Sequence, residues 1–204
     1  VAGIGASGTE ANVVALTGST SVTLNGSIYT DNTGTGNAAV AGDVTITGPA
    51  ILAVDTTIDS SAGDGLVKFT STVDSATVTA RDLTIESGTG KVTIDGAIGA
   101  TDNRALDVID INGTSTDGTG DIEIFDIGDG GSVGAGAVTI GHSLTNKITL
   151  DGDIYKTGNA LFTAKTGETI LMTNTADPTF TLANKTIEFA TGTIKLSSGV
   201  DLDI

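Results

Sequence analysis

Carboxylates are the most abundant side chains here that could do chemistry: the chain has 25 Asp and Glu against 9 Lys and Arg, one His and no Cys. Five of them, Asp107, Asp110, Asp121, Asp126 and Asp129, fall on one stretch. Paired carboxylates in an open groove could hydrolyse a glycosidic bond. Carboxylates with a basic residue and calcium could serve a polysaccharide lyase. The rest of such a site is thin. The only arginines are Arg81 and Arg104, the only histidine is His142, and two Tyr and five Phe are all the chain offers as sugar platforms. His142, in Ile140-Gly-His-Ser, reads as a turn residue, and no catalytic residue is assigned. Oxygen ligands at Gly-rich turns suit a hard cation. That makes Asp117 and Asp121 in Asp117-Gly-Thr-Gly-Asp121, and Asp126 and Asp129 in Asp126-Ile-Gly-Asp129, the candidate calcium ligands. Neither stretch fits the Gly-Gly-x-Gly-x-Asp calcium repeat or an EF-hand loop. An ordinary polar turn is the simpler reading of both, and no other cofactor is expected.

The elements that would carry these residues are strands. Lys91-Val-Thr-Ile-Asp-Gly-Ala-Ile98 is repeated as Val22-Thr-Leu-Asn-Gly-Ser-Ile28 and as Ile148-Thr-Leu-Asp-Gly-Asp-Ile154. Apolar and polar residues alternate in each, which puts Val92 and Ile94 on one face of a strand and Thr93 and Asp95 on the other. Gly96 then turns the chain, and Ile98 points back inward. A strand, a corner and a second strand make one coil of a β-solenoid. Asp-Gly and Asn-Gly also favour hairpins. Against that alternative, the residues after each turn do not mirror the strand before it, and the whole phrase returns further along.

Composition sets the class. Gly is 29 of 204 residues, aromatics are 3%, Trp is absent and Pro occurs twice, while 38% of residues are hydrophobic. This is an all-β composition with many tight turns. The net charge of −16 lacks the basic footprint that nucleic acid requires and would be repelled by anionic lipid. No apolar run approaches the roughly 20 residues of a membrane-spanning helix. The chain begins at Val1, which fits a processed or excised chain.

Taking the first inward residue of each coil as Val22, Val44, Val67, Val92, Ile122, Ile148, Ile170 and Ile194 gives steps of 22, 23, 25, 30, 26, 22 and 24 residues. Repeats of this length indicate a solenoid, and the unequal steps favour a parallel β-helix of about eight irregular coils, each elongating the stack by about 4.8 Å. Pieces such as Ile51-Leu-Ala-Val54, Ala76-Thr-Val78, Leu83-Thr-Ile85 and Leu106-Asp-Val-Ile-Asp-Ile111 would form the other faces. Residues 21–204 form the solenoid. Residues 1–20 are either its N-terminal cap or a strand given to a neighbouring molecule, since a solenoid must cover its open edges. Val200-Asp-Leu-Asp-Ile204 still alternates at the other end. The expected assembly residues are therefore Val1, Ile4, Val13, Val14 and Leu16 at one end and Leu202 and Ile204 at the other.

Asp82-Leu-Thr-Ile-Glu-Ser-Gly-Thr-Gly-Lys-Val-Thr-Ile-Asp-Gly-Ala-Ile-Gly99 resembles the repeats of large bacterial surface adhesins of the filamentous haemagglutinin type. The likeness covers residues 43–112 and returns at 146–200. It implies a right-handed parallel β-helix, exported, acting as a stalk or adhesive fibre.

Together these features lead to a non-enzymatic extracellular or cell-surface structural protein. Its expected partners are further copies of itself, added end to end by strand pairing, or the rest of a longer chain, with surface glycans or a cell surface as what it adheres to. An ice-binding solenoid would need a flat Thr array. Thr45-Ile-Thr47 fits one, but its stacked counterparts Lys68-Phe-Thr70, Thr93-Ile-Asp95 and Glu123-Ile-Phe125 interrupt it with charge.

Overall fold

Alternation of two in a Thr-, Val- and Ile-rich chain produces strands, and the computed structural model consists of little else. It describes residues 1–6, 10–30, 42–102, 104–114, 118–129, 134–173, 177–182 and 186–197. Among these are twenty strands and a single 3-10 turn, Ser61–Gly63. The strands stack on three faces of a β-solenoid. The first face carries, in order, Val14–Thr17, Val44–Thr47, Val67–Phe69, Val92–Ile94, Ile122–Ile124, Lys147–Leu150, Thr169–Met172 and Thr193–Leu196. The second runs from the start of Val22–Tyr29 through Ala50–Leu52 and Val73–Ser75, single bridges at Ile98 and Ile127, then Ile154–Thr157 and Thr179–Leu182. The third runs from the end of Val22–Tyr29 through Thr56–Asp59, Arg81–Glu86, Leu106–Ile111, Ala137–Ile140 and Ala160–Thr163 to Ile187–Ala190. Every pairing between these strands is parallel, so Asp-Gly and Asn-Gly do not make hairpins here.

The core is built from rows of one side chain over another. Val14, Val44, Val67, Val92, Ile122, Ile148, Ile170 and Ile194 form one row of the first face. Ile28, Ile58, Ile85, Ile111, Ile140, Phe162 and Phe189 form a row of the third. Each buried Ile contributes about 1.5–3 kcal/mol relative to exposure. Toward the C-terminal end the rows turn aromatic: Tyr155 stacks on Phe180 with centroids 4.8 Å apart, and Phe162 on Phe189 at 5.3 Å.

Seven of the eight anchors read from the sequence lie on one row, and the first does not. Val22 pairs with Ala50 on the second face, and Val14 heads the row instead. The difference is local. Residues 22–29 form one continuous strand that starts on the second face and ends on the third, and the backbone of Gly3 lies against Gly26, where a Cβ would come within 2.6 Å of the Gly3 nitrogen. In the matching phrase Gly96 does take a corner, pressed onto residues 71 and 72. In the third phrase Tyr155 occupies the inward position that Ile98 holds in its coil, and Ile154 is only half-buried. Ala76-Thr-Val78 is a bend rather than a strand, with Val78 80% exposed; the second-face strand is Val73–Ser75. The described chain closes about six turns and not about eight, since one coil per anchor overcounts where the terminal anchors belong to coils that the described residues do not close. Six turns make a stack of about 29 Å.

The last strand, Thr193–Leu196, keeps its register, yet Ile194 and Leu196 on the inward rows are 42% and 41% exposed because no described strand follows them. Removing side-chain atoms should therefore matter in the middle and not at that end. In chemical denaturation of the isolated chain, Ile94→Ala is expected to cost about 2–5 kcal/mol and Ile194→Ala less than about 1 kcal/mol. Equal losses would mean that the end is covered.

Candidate functional site

At a solenoid corner the backbone leaves its ladder, and the N–H groups there need another acceptor. Short carboxylates supply it, one coil away. Asp126 Oδ1 accepts the N–H of Asp153 at 2.7 Å and of Ile154 at 2.8 Å. Asp43 accepts from Leu66 at 2.8 Å and Asp64 from Thr89 at 2.7 Å, and Asp82 accepts from Val108 at 3.1 Å where the Leu106–Ile111 strand bulges. Asp74 accepts from both the N–H and the hydroxyl of Thr101, at 3.2 and 2.6 Å. These acids staple coils together, and charge makes such bonds roughly twice as strong as neutral ones. Burial raises the Asp126 carboxyl above its ordinary range, against the pull of its two backbone bonds, with nearby Asp153 raising it further. Burial also raises Asp110, opposed by the N–H of Gly113. Tyr155 is fully buried, its hydroxyl accepts the N–H of Gly152 at 2.9 Å, and burial drives the phenol well above its usual value.

The carboxylates singled out in the sequence separate into different tasks. Asp117 lies outside the described residues. Asp121 accepts the Val92 N–H through its backbone carbonyl, half-buried at the entry to Ile122–Ile124. Asp126 is a coil staple. Asp129 is half-buried after Gly128, whose φ is +81°. Among the described residues, no three His, Asp or Glu side chains converge in a way that could hold a metal ion. Asp107 is exposed on the third face, and Asp110 closes its own turn onto Gly113. His142 sits in a turn: its backbone N–H donates to Thr145 Oγ1, its Nδ1 accepts the Leu144 N–H, and its buried Nε2 has no hydrogen-bond partner among the described residues.

Stacking also gathers residues that are distant in sequence. The outward row of the first face reads Ala15, Thr45, Lys68, Thr93, Glu123, Thr149, Leu171 and Lys195, so Thr is interrupted by charge as expected. Thr93 faces outward but is buried between Lys68 and Glu123. Beside this row a groove of about 210 Å³ is lined by Ile94, Asp95, Glu123, Ile124, Phe125 and Asp151. Phe125 is exposed there. Each carboxylate around it already has a partner: Asp95 bonds Lys68 at 2.9 Å, Glu123 bonds Lys91 at 2.6 Å, and Asp151 accepts the Thr173 hydroxyl. The groove was not found from sequence because Asp95, Phe125 and Asp151 lie a coil apart and not next to one another. The anchors contained the signal: each of the three directly follows an anchored triplet.

The two solenoid ends are the other places where groups lack neighbours. Val14–Thr17 and Thr193–Leu196 are the outermost strands of the first face, each with one edge unpaired among the described residues. Of the expected assembly residues, Val1 and Val13 are exposed, Ile4 and Leu16 are half-buried against the core and Val14 is buried. Ala2–Ile4 pairs in parallel with this chain's own Val22–Tyr29. Leu202 and Ile204 lie outside the described residues.

Compared with known proteins, the chain matches no family model, no curated protein and no solved structure.

The staple role of Asp126 is open to test. Asp126→Ala removes both bonds and should cost about 2–3 kcal/mol, whereas Asp126→Asn keeps an acceptor, removes a half-buried charge and should be near neutral. With a folded-state pKa above the unfolded one, Asp126 and Asp110 favour the fold most at acid pH, and that contribution is lost as pH rises through the raised value. Denaturation midpoints should therefore rise as pH falls from above the raised carboxyl value toward the ordinary carboxylate range, less steeply in Asp126→Asn. A midpoint that falls over that range would contradict the assignment.

Proposed function

We propose that this chain is an extracellular, non-enzymatic structural protein whose solenoid assembles end to end into a fibre or surface filament with an adhesive or matrix role. The observation that carries this reading is the pair of ends. Parallel ladders run the length of the described stack to strands that have one edge unpaired among the described residues, and at Thr193–Leu196 the inward side chains are exposed. Unpaired parallel edges recruit further strands. Surface composition supports it too: net charge −16 keeps the flanks soluble and self-repelling, so association is directed to the ends. The likeness of residues 82–99 to filamentous haemagglutinin-type repeats agrees with an exported stalk or fibre. Among the described residues, no helix is long and apolar enough to cross a membrane.

The carboxylates that could do hydrolytic work support the structural reading. Asp126 and Asp110 hold backbone N–H groups, and the acids of the Phe125 groove hold Lys68, Lys91 and Thr173. A second reading, a passive stalk segment within a giant adhesin, is favoured by the register of the last strand, since further coils of one polypeptide would cover Ile194 and Leu196 as well as another molecule would.

Electron microscopy of the purified 204-residue chain, in calcium and in chelator, separates the two. Filaments are expected. Monomeric rods at every concentration up to about 100 μM, a range in which subunits joined at micromolar affinity would already associate, would remove the fibre reading and leave the stalk. Filaments that dissolve in chelator would put calcium at the joints or turns.

A further inference from the structure

We infer that the groove at Phe125 binds a neutral saccharide chain, with one sugar ring lying on Phe125 and its hydroxyls donating to Asp95, Glu123 and Asp151. This rests on the adhesive part of the reading above and names what the flank of the rod adheres to. The placing of an exposed ring among half-occupied carboxylates carries it.

The position directly after each core strand of the first face is polar in every coil but one. Coil on coil it reads Thr17, Thr47, Thr70, Asp95, Phe125, Asp151, Thr173 and Ser197. Of the five phenylalanines, Phe69, Phe162 and Phe180 are buried and Phe189 packs against the core, so Phe125 is the ring turned outward. A lone exposed apolar residue needs no explanation. This one has a groove of about 210 Å³ beside it, lined by acids from three coils. Asp95 comes one coil before Phe125 in the row, Asp151 one coil after, and Glu123 two residues earlier in its own coil. Asp95 and Asp151 are thus two strand spacings apart across the ring, about 10 Å. The groove is smaller than the roughly 300–1,000 Å³ of pockets that enclose drug-sized ligands, which suits a single ring of a longer chain.

Each carboxylate has one oxygen engaged and one open. Lys68 holds Asp95 Oδ2, Lys91 holds Glu123 Oε2, and the Thr173 hydroxyl donates to Asp151 Oδ1. Asp95 Oδ1, Glu123 Oε1 and Asp151 Oδ2 have no hydrogen-bond partner among the described residues. The clamps order the side chains before a ligand arrives, which lowers the cost of binding. Open acceptors beside an apolar ring match a sugar, which offers hydroxyl donors at its rim and a C–H face to cover the ring. Charged ligands fit less well. Two of the three acids are already neutralised, so a cation would have to compete with Lys68 and Lys91. An anion would meet three acids on a protein of net charge −16.

Neutral tetrasaccharides of glucose, mannose and galactose, with a sulfated tetrasaccharide and tetralysine as charged controls, are titrated into the isotope-labelled 204-residue chain and followed by NMR. At least one neutral tetrasaccharide is expected to bind with a Kd of about 1 mM, as ligands that bury few atoms do. The amides of Ile94, Asp95, Glu123, Phe125 and Asp151 should shift. Phe125→Ala should weaken binding about tenfold by removing the apolar contact, and Phe125→Tyr should leave it within about twofold. Phe125 is exposed, so both variants keep the core, and spectra unchanged away from the groove show that they are folded. Shifts on another face that survive Phe125→Ala would overturn this site and leave the adhesive reading standing. Tetralysine binding in preference to every sugar would overturn the inference in favour of a cationic ligand. Binding of no probe would overturn it too, and the fibre reading would then stand or fall on the microscopy above.

Discussion

Everything in this fold depends on one side chain landing on its counterpart a coil below. A solenoid has no separate layers to pack together; its core is a set of rows, and each row exists only while register is kept. Parallel backbone hydrogen bonds enforce that register along the three faces, and Val, Ile and Leu reward it, since β-branched and apolar groups fill a narrow interior without polar atoms to satisfy. The same constraint suits aliphatic side chains: Phe69 is buried singly between Ile46 and Ile94 in its row. Among the described residues, rings meet one another where Tyr155, Phe162, Phe180 and Phe189 stack near the C-terminal end.

Corners are where the constraint is hardest to meet. There the ladder lapses, and acids such as Asp43, Asp64 and Asp126 accept the backbone N–H groups of the following coil. This gives the acidic composition a structural cause. Part of the −16 charge sits on groups that hold the coils, and the rest covers the flanks. Lys68 and Lys91 span coils to Asp95 and Glu123 on the first face. Exposed pairs of this kind are worth little each, but by lying over the outward row they shield Thr93, and so interrupt what would otherwise be a flat Thr surface.

Much of this was legible in the sequence. The class, the parallel stacking and seven anchors followed from alternation of two and a recurring interval, because an inward Val or Ile is required at one place per coil. What was not legible is what depends on a neighbour. Asn25-Gly26 and Asp95-Gly96 look alike, but the first stays extended against Gly3 and the second takes a corner. Val78 looks like a strand residue and lies in a bend. Extra length at Val108 is absorbed by a bulge between Leu106 and Ile109. The acids of residues 107–129 looked like one cluster because they are close in sequence, whereas the solenoid groups residues a coil apart, bringing Asp95, Phe125 and Asp151 to one groove.

Register-dependent stacking with open ends makes a direct demand on local stability, which varies along a repeat structure with the number of neighbouring repeats. Amide hydrogen exchange measured strand by strand in the dilute chain, and again at high concentration where the proposed fibre would form, tests it. In the dilute chain the slowest amides should belong to Val67–Phe69, Val92–Ile94 and Ile122–Ile124, with protection fading toward Val14–Thr17 and Thr193–Leu196. If the proposed fibre forms, those two terminal strands should gain protection while the central ones stay as they were. Uniform protection along the dilute chain, or protection gained on the flanks and not at the ends, would contradict it.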